Sequence, residues 1–322
     1  MGLNARNSLC FTLTNIGPSG HAPIYLVGNA AVDQYFAGNG TDGLSWATAD
    51  VMQNLQINAN QQSSAITIIN STRYIQIGNV SCSFAEESSK NIPGYPPMGQ
   101  YAGIDLEGCQ NVNISDAEIS TCDFGIYAFT CSNLTMSNIA ISSSNSFGLW
   151  LDHTSYCNIQ QLLVANSGES GILMQTDDND NTFQQVLVQN APEGLSCYSS
   201  NSNIFSGLEL DGFWYGVYLN NANSNRFANL QFEHGYSFPK GDFGPIAVNV
   251  TISNSNQNDF GNYAGSIVVQ ADMGPFLPSI GVAGGIIGGI VIIWAFIIRA
   301  RVKAQHKLES QANSIREGNE ND

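Results

Sequence analysis

Charge is scarce in this sequence. Only 11% of its 322 residues are Asp, Glu, Lys or Arg, and ten of them are basic. Residues 1–279 hold five basic side chains (Arg6, Arg73, Lys90, Arg226, Lys240) against 22 acidic ones. A surface so poor in cations repels nucleic acid and anionic headgroups, and it favours cations, neutral glycans or high salt. Nucleic acid is therefore not an expected partner. Cysteine is sparse too. The seven present include no Cys-x-x-Cys, which argues against a disulfide framework and against thiolate metal sites. Ser8–Thr14 is too short and too polar for a secretory core, so no export signal is legible.

What is abundant is Gly, Asn and Ser in a fixed rhythm. From Gly103 to Phe260 the chain repeats every 22 or 23 residues, with copies opening at Gly103, Gly125, Gly148, Gly171, Gly194 and Gly216. A second apolar anchor follows each opening: Ile114, Met136, Ile159, Phe183, Phe205, Phe227. A third pair follows that, as in Ile139/Ile141 and Leu208/Leu210. Each copy thus holds three short alternating runs separated by turn formers, with no room for a helix. Such a period names a coil whose strands pair in parallel from rung to rung, roughly 4.8 Å apart. The expected fold is all-β: a right-handed parallel β-helix of about eight rungs of 22–23 residues, followed by one C-terminal transmembrane α-helix. Phe183, Phe205, Phe227 and Phe260 should form a buried file. Cys197 falls at an inward position. Cys109 and Cys131 fall on adjacent rungs, where a bridge and two unpaired thiols both suit the spacing.

The Gly-Ile-x-Leu opening with its Asn-x-x-Ile second strand resembles the repeat of the NosD-like and pectate-lyase-like β-helix superfamily, over about residues 51–263. That resemblance implies the fold and leaves activity open among lyases, glycoside hydrolases, binding proteins and spacers. Lyase chemistry would need a basic proton abstractor beside a calcium-holding acidic cluster. No two of Arg73, Lys90, Arg226 and Lys240 fall on neighbouring rungs of one face, so a lyase is disfavoured. Gln175-Thr176-Asp177-Asp178 resembles the paired-Asp element of polygalacturonases, but the Gly-His-Gly and Arg-Ile-Lys elements are absent. The copper chemistry that the NosD resemblance implies is discounted, because His21, His153, His234 and His306 are scattered.

Five segments are expected. Residues 1–64 form an N-terminal cap and first irregular rung, with Val51–Ile57 as an imperfect strand set. Residues 65–270 form the β-helix and 271–279 a linker. Residues 280–298 are long and apolar enough to span a membrane, and 299–322 are a tail. Arg299, Arg301, Lys303 and Lys307 place that tail in the cytoplasm and the β-helix outside, as a single-pass cell-membrane protein. Gly281, Gly284, Gly285 and Gly288 form small-xxx-small pairs that would permit self-association of the span. Six sequons suit an extracytoplasmic surface: Asn39, Asn70, Asn79, Asn113, Asn133 and Asn249. Two insertions, Phe84–Tyr101 and Gly235–Ala247, leave from one corner, roughly 29 Å apart by rung spacing.

The first strand of each rung carries the candidate ligand-binding residues. Two after each opening Gly come Asp105, Tyr127, Trp150, Leu173, Ser196 and Tyr218; two further on come Glu107, Phe129, Asp152, Gln175, Tyr198 and Asn220. All are expected to point outward. Aromatic planes beside carboxylates and amides suit an elongated glycan, with Asp105, Tyr127, Trp150, Asp152, Tyr198 and Tyr218 as contacts. Strand propensity alone also explains aromatics here. Asp152, Asp177 and Asp178 are the candidate catalytic carboxylates of a glycoside hydrolase. The preferred alternative is that Asp177–Asn181 make a solvated corner turn. Clustered oxygens at Asp177, Asp178 and Asp180 would suit calcium; no other cofactor is expected. The reading is a membrane-anchored surface protein that binds glycan or serves as a structural or adhesive envelope component. The runner-up is a carbohydrate-active enzyme.

Overall fold

The computed structural model describes residues 20–86, 101–235, 248–261, 263, 265 and 267–270. The described residues all fall in one compact unit, which lies within residues 1–272. The unit opens with β1 (Gly20–His21), β2 (Ile24–Val27) and α1 (Gly28–Phe36), followed by β3 (Asp50–Asn58) and β4 (Ile66–Ile69). Next come β5 (Ile75–Ala85), β6 (Ala102–Glu107), β7 (Val112–Phe129), β8 (Thr135–Asp152), β9 (Asn158–Ser167) and β10 (Ser170–Gln175). It ends with β11 (Thr182–Gln189), β12 (Glu193–Tyr198), β13 (Ile204–Asp211), β14 (Tyr215–Asn220), β15 (Arg226–Ala228), β16 (Gln231–Glu233), β17 (Val248–Ser253) and β18 (Ile267–Gln270).

Every strand pairing is parallel, and the result is a β-solenoid of about seven turns. That is close to the eight or so rungs expected, and the late coils are fragmentary: β15 and β16 have three residues each. The register stacks equivalent residues. One inward file runs Ile24, Ile66, Ile104, Ile126, Leu149, Ile172, Leu195, Val217, Val250. A second runs Met52, Ile77, Ile114, Met136, Ile159 and then three phenylalanines. The expected phenylalanine file is present. Phe183, Phe205, Phe227 and Phe260 stack with ring centroids 4.7, 4.8 and 4.9 Å apart.

The opening glycines are fixed by close approach. A Cβ on Gly125 would collide with Ile141 Cγ2 and the carbonyl of Gly148; one on Gly148 would collide with Val164 Cγ1. The corner between the second and third runs is a single left-handed residue, such as Asn79 (φ 51°), Asp116 (53°) or Asn138 (54°). Asn and Asp tolerate that conformation better than other side chains, which is why they punctuate the repeat.

Two asparagine ladders hold the corner before the phenylalanine file. The inner one is fully buried from Asn181 to Asn225 and ends on the half-buried Asn258. The N–H of Asn181 donates to Asn203 Oδ1 (2.9 Å), that of Asn203 to Asn225 Oδ1 (2.9 Å), and that of Asn225 to Asn258 Oδ1 (2.8 Å). The outer ladder runs the other way: Asn201, Asn223 and Asn256 donate their N–H to Asn179, Asn201 and Asn223 Oδ1. Backbone groups with no strand partner are thereby satisfied.

At the N-terminal end β2 and β3 already pair in register with β4 and β5, so the strand set read at Val51–Ile57 is β3. α1 buries Val32 and Phe36 in the core, so the cap expected over residues 1–64 contains a helix within the otherwise all-β unit. Cys109 and Cys131 stack as free thiols, with the Cys109 N–H 3.3 Å from Cys131 Sγ. Cys197 is buried, as expected. The linker 271–279, the span 280–298 with its glycines, and the tail 299–322 lie outside the described residues, as does most of both insertions. Among the described residues no helix is long and apolar enough to cross a membrane.

Candidate functional site

The sheet made by the first strands carries three files on its outer side. Two are those read from the sequence. The third lies one residue before each opening Gly and runs Phe124, Phe147, Ser170, Glu193, Tyr215. Its side chains lean across the neighbouring file, so outward does not mean exposed. Leu173 and Ser196, expected at the surface, are buried at 7% and 0%. Asp105, Tyr127, Trp150, Asp152, Tyr198 and Tyr218 are half-buried, and Phe129 and Gln175 are exposed.

Trp150 is the hub of an aromatic cluster. Its ring lies 4.6 Å from Tyr127, 5.0 Å from Phe124 and 5.2 Å from Phe147. The Nε1 of Trp150 is buried without a hydrogen-bond partner. The indole is therefore packed among its neighbours, and is not the open platform expected of it. Burial raises the Tyr127 hydroxyl, with the charges of Asp152, Glu107 and Asp105 adding to it. Asp105 lies in register beside Tyr127. One of its oxygens faces the hydroxyls of Ser64 (3.4 Å) and Thr67 (3.5 Å); the other is buried without a partner. Burial, then the charge of Glu107, pushes the Asp105 carboxyl up to about 6.

Beyond Phe147 the face opens into a cleft of about 710 Å³. Phe147, Leu173, Pro192, Tyr198, Trp214 and Tyr215 supply apolar walls; Glu169, Ser170, Gln175 and Glu193 supply polar groups. The carboxylate of Glu193 accepts hydrogen bonds from Ser170 (3.0 Å) and from Ser196. Its backbone N–H donates to the carbonyl of Glu169 at 2.9 Å, which puts the two acidic residues on adjacent rungs. Burial, then the Glu193 charge, raises the hydroxyls of Tyr198 and Tyr218, whose rings lie 5.5 Å apart. Of the first-strand residues singled out in the sequence, Leu173, Gln175 and Tyr198 line this cleft. Glu193, Glu169, Trp214 and Tyr215 were not marked.

The acidic corner is built differently from the solvated turn expected. Asp178 and Asn181 are fully buried. Asp178 accepts the backbone N–H of Thr154 (2.6 Å) and of Gln175 (2.5 Å), and burial pushes it up to about 8 against those two donors. Asp177 and Asp180 are exposed, and the oxygens of Asp177, Asp178 and Asp180 do not gather within 4.8 Å of one another. Asp152 pairs with His153 at 2.7 Å. The three catalytic candidates thus do not converge on the cleft, which is lined by none of them.

The protein-family profile described as "Right handed beta helix region" matches residues 38–210. The chain belongs to the right-handed β-helix family. Curated proteins gave no sequence match. Among solved structures, this family member is similar to the catalytic domain of a GH87 α-1,3-glucanase in complex with nigerose, at 12% identity and a TM-score of 0.48. The match covers 79% of this chain and 50% of that one, so the chain spans half the length of the glucanase domain. It is also similar to the periplasmic alginate epimerase AlgG, at 12% identity and TM-score 0.41 over 70% of each chain. The enzymatically active domain of bacteriophage CBA120 tailspike protein 2 matches at 11% identity and TM-score 0.41, over 67% of this chain and 38% of that one.

Proposed function

We propose that this β-helix protein binds a neutral glycan in the cleft between Phe147 and Trp214. The observation that carries the reading is the pairing of aromatic walls with hydroxyl, amide and carboxylate groups in one groove. Sugar rings offer apolar faces to aromatics and hydroxyls to polar neighbours. Glu169 and Glu193 line the groove with no Lys or Arg among the described lining residues, which disfavours uronates and other anionic polymers. Binding of the full chain to an array of neutral and anionic oligosaccharides tests this; capture of anionic glycans alone would refute it.

A second reading is glycoside hydrolysis, favoured by the presence of two carboxylates, Glu169 and Glu193, in the same groove. Turnover of a bound neutral glycan, lost in both Glu169→Gln and Glu193→Gln, would select it over binding alone.

The same reading keeps the protein at a membrane surface. Residues 280–298, which carry no charge, would anchor it, with the basic residues Arg299, Arg301, Lys303 and Lys307 on the cytoplasmic side. Of the six sequons, the exposed Asn39, Asn70 and Asn133 are the accessible acceptors. Asn79 and Asn249 instead donate to Asn54 (2.6 Å) and Tyr263 (2.9 Å). A protease added outside intact cells should spare a C-terminal tag; its loss would reverse the orientation.

A further inference from the structure

Asp211 ends β13 and Glu233 ends β16, and the parallel register sets them opposite one another on adjacent rungs. Like charges stacked this way repel. Among the described residues neither forms an ion pair with Lys or Arg. Beside them stands His234, whose Nδ1 lies 2.9 Å from Asp211 Oδ1. One donor atom from each of the three residues lies within 4.8 Å of the others. None of the three lines the glycan cleft.

We infer that Asp211, Glu233 and His234 form a binding site for one divalent transition-metal ion of the zinc class. An imidazole nitrogen with two carboxylate oxygens is a donor set that zinc accepts at about 2.0–2.2 Å. Tetrahedral geometry at that bond length separates donors by about 3.4 Å. The spacings here, from 2.9 Å to at most 4.8 Å, bracket that value. Small side-chain rotations close the site, and His234 is free to make them because its side chain is 80% exposed. Asp211 is the more fixed ligand, at 27%. The imidazole selects against calcium and magnesium, which prefer all-oxygen shells. An ion held here cancels the repulsion between two rungs and ties β13 to β16, where the coil is reduced to three-residue strands.

The test is calorimetric titration of chelator-treated full-length protein with Zn2+, followed by thermal melting. The wild type should bind one equivalent and melt at a higher temperature when loaded. His234→Ala and Glu233→Gln should each bind at least about tenfold more weakly and lose the thermal gain. His234→Ala removes an exposed ring, so its fold is retained. His153→Ala should behave as the wild type. Co2+ provides a second readout, as absorption bands of the loaded wild type that vanish in His234→Ala. Absence of saturable Zn2+ binding, equal affinity in His234→Ala, or a preference for Ca2+ that ignores His234 would each overturn the site.

Discussion

The Glu193 carboxylate accepts a hydrogen bond from the Ser170 hydroxyl across the rung boundary at 3.0 Å. Ser196, on the same strand, donates to it as well. Two hydroxyls from separate rungs therefore aim one acid at the cleft. Glu193→Gln keeps the volume, and each hydroxyl can rotate to meet an amide, so stability should change by less than about 1 kcal/mol. Under a binding role, glycan affinity should fall modestly. Under a hydrolytic role, turnover should vanish while binding persists. Measuring both on the same preparation distinguishes the roles.

Phe205 lies between Phe183 and Phe227 in a stack with nearly parallel rings. Phe205→Ala opens a cavity whose walls are neighbouring rungs with little freedom to collapse. The expected loss is about 3–5 kcal/mol. Denaturant unfolding reads it as a lower midpoint, and a loss below about 1 kcal/mol would show that the file does not hold the coil.

Asn203 illustrates a different dependence. It accepts from Asn181 N–H, and its Nδ2 donates to the Asp178 carbonyl at 2.8 Å, all in the interior. Asn203→Ala strands both groups without water, at about 1–3 kcal/mol each. Asn201→Ala removes a link of the half-buried outer ladder, where water can substitute, and should cost less. Equal losses from the two variants would contradict this division of the ladders.

The inward half of this architecture was open to reading because the coil places one equivalent residue per rung. A repeat such as Ile126, Leu149, Ile172 is therefore a spatial contact as well as a pattern. Asparagine was harder. Asn181, Asn203 and Asn225 share the composition of surface turns, and only the 22-residue register shows that each meets the next in the interior. The cleft was harder still. Glu193 shares its file with Phe124 and Phe147, so nothing local separates it from strand filler. Its chemistry arises when Ser170 and Ser196 reach it. Trp150 is the opposite case: its outward register position predicts an open surface, but Phe124 and Phe147 pack against its ring. Trp150→Ala should consequently destabilise the coil.

Asp105 should make stability depend on pH. Its carboxyl is raised to about 6 from an ordinary value near 3.8, so the folded state holds the proton more tightly than the unfolded chain. Its contribution to stability therefore falls as pH rises from about 4 to about 6, and the penalty is complete above that. Asp105→Asn should be more stable than the wild type near pH 7.5, with the difference shrinking towards zero near pH 4. Urea midpoints at the two pH values check it. A variant less stable near neutral pH would be inconsistent with this origin.

In the proposed glycan binding, Tyr198 and Trp214, both C-terminal to Glu193 and both lining the groove, would supply the stacking surfaces. The deciding measurement is a binding isotherm of the full chain for a neutral oligosaccharide, compared with Trp214→Ala and Tyr198→Ala. Saturable binding by the wild type, weakened about tenfold in each variant as stacking contacts are removed, is the expected result. Unchanged affinity in both variants, or no binding across a panel of neutral glycans, would contradict it.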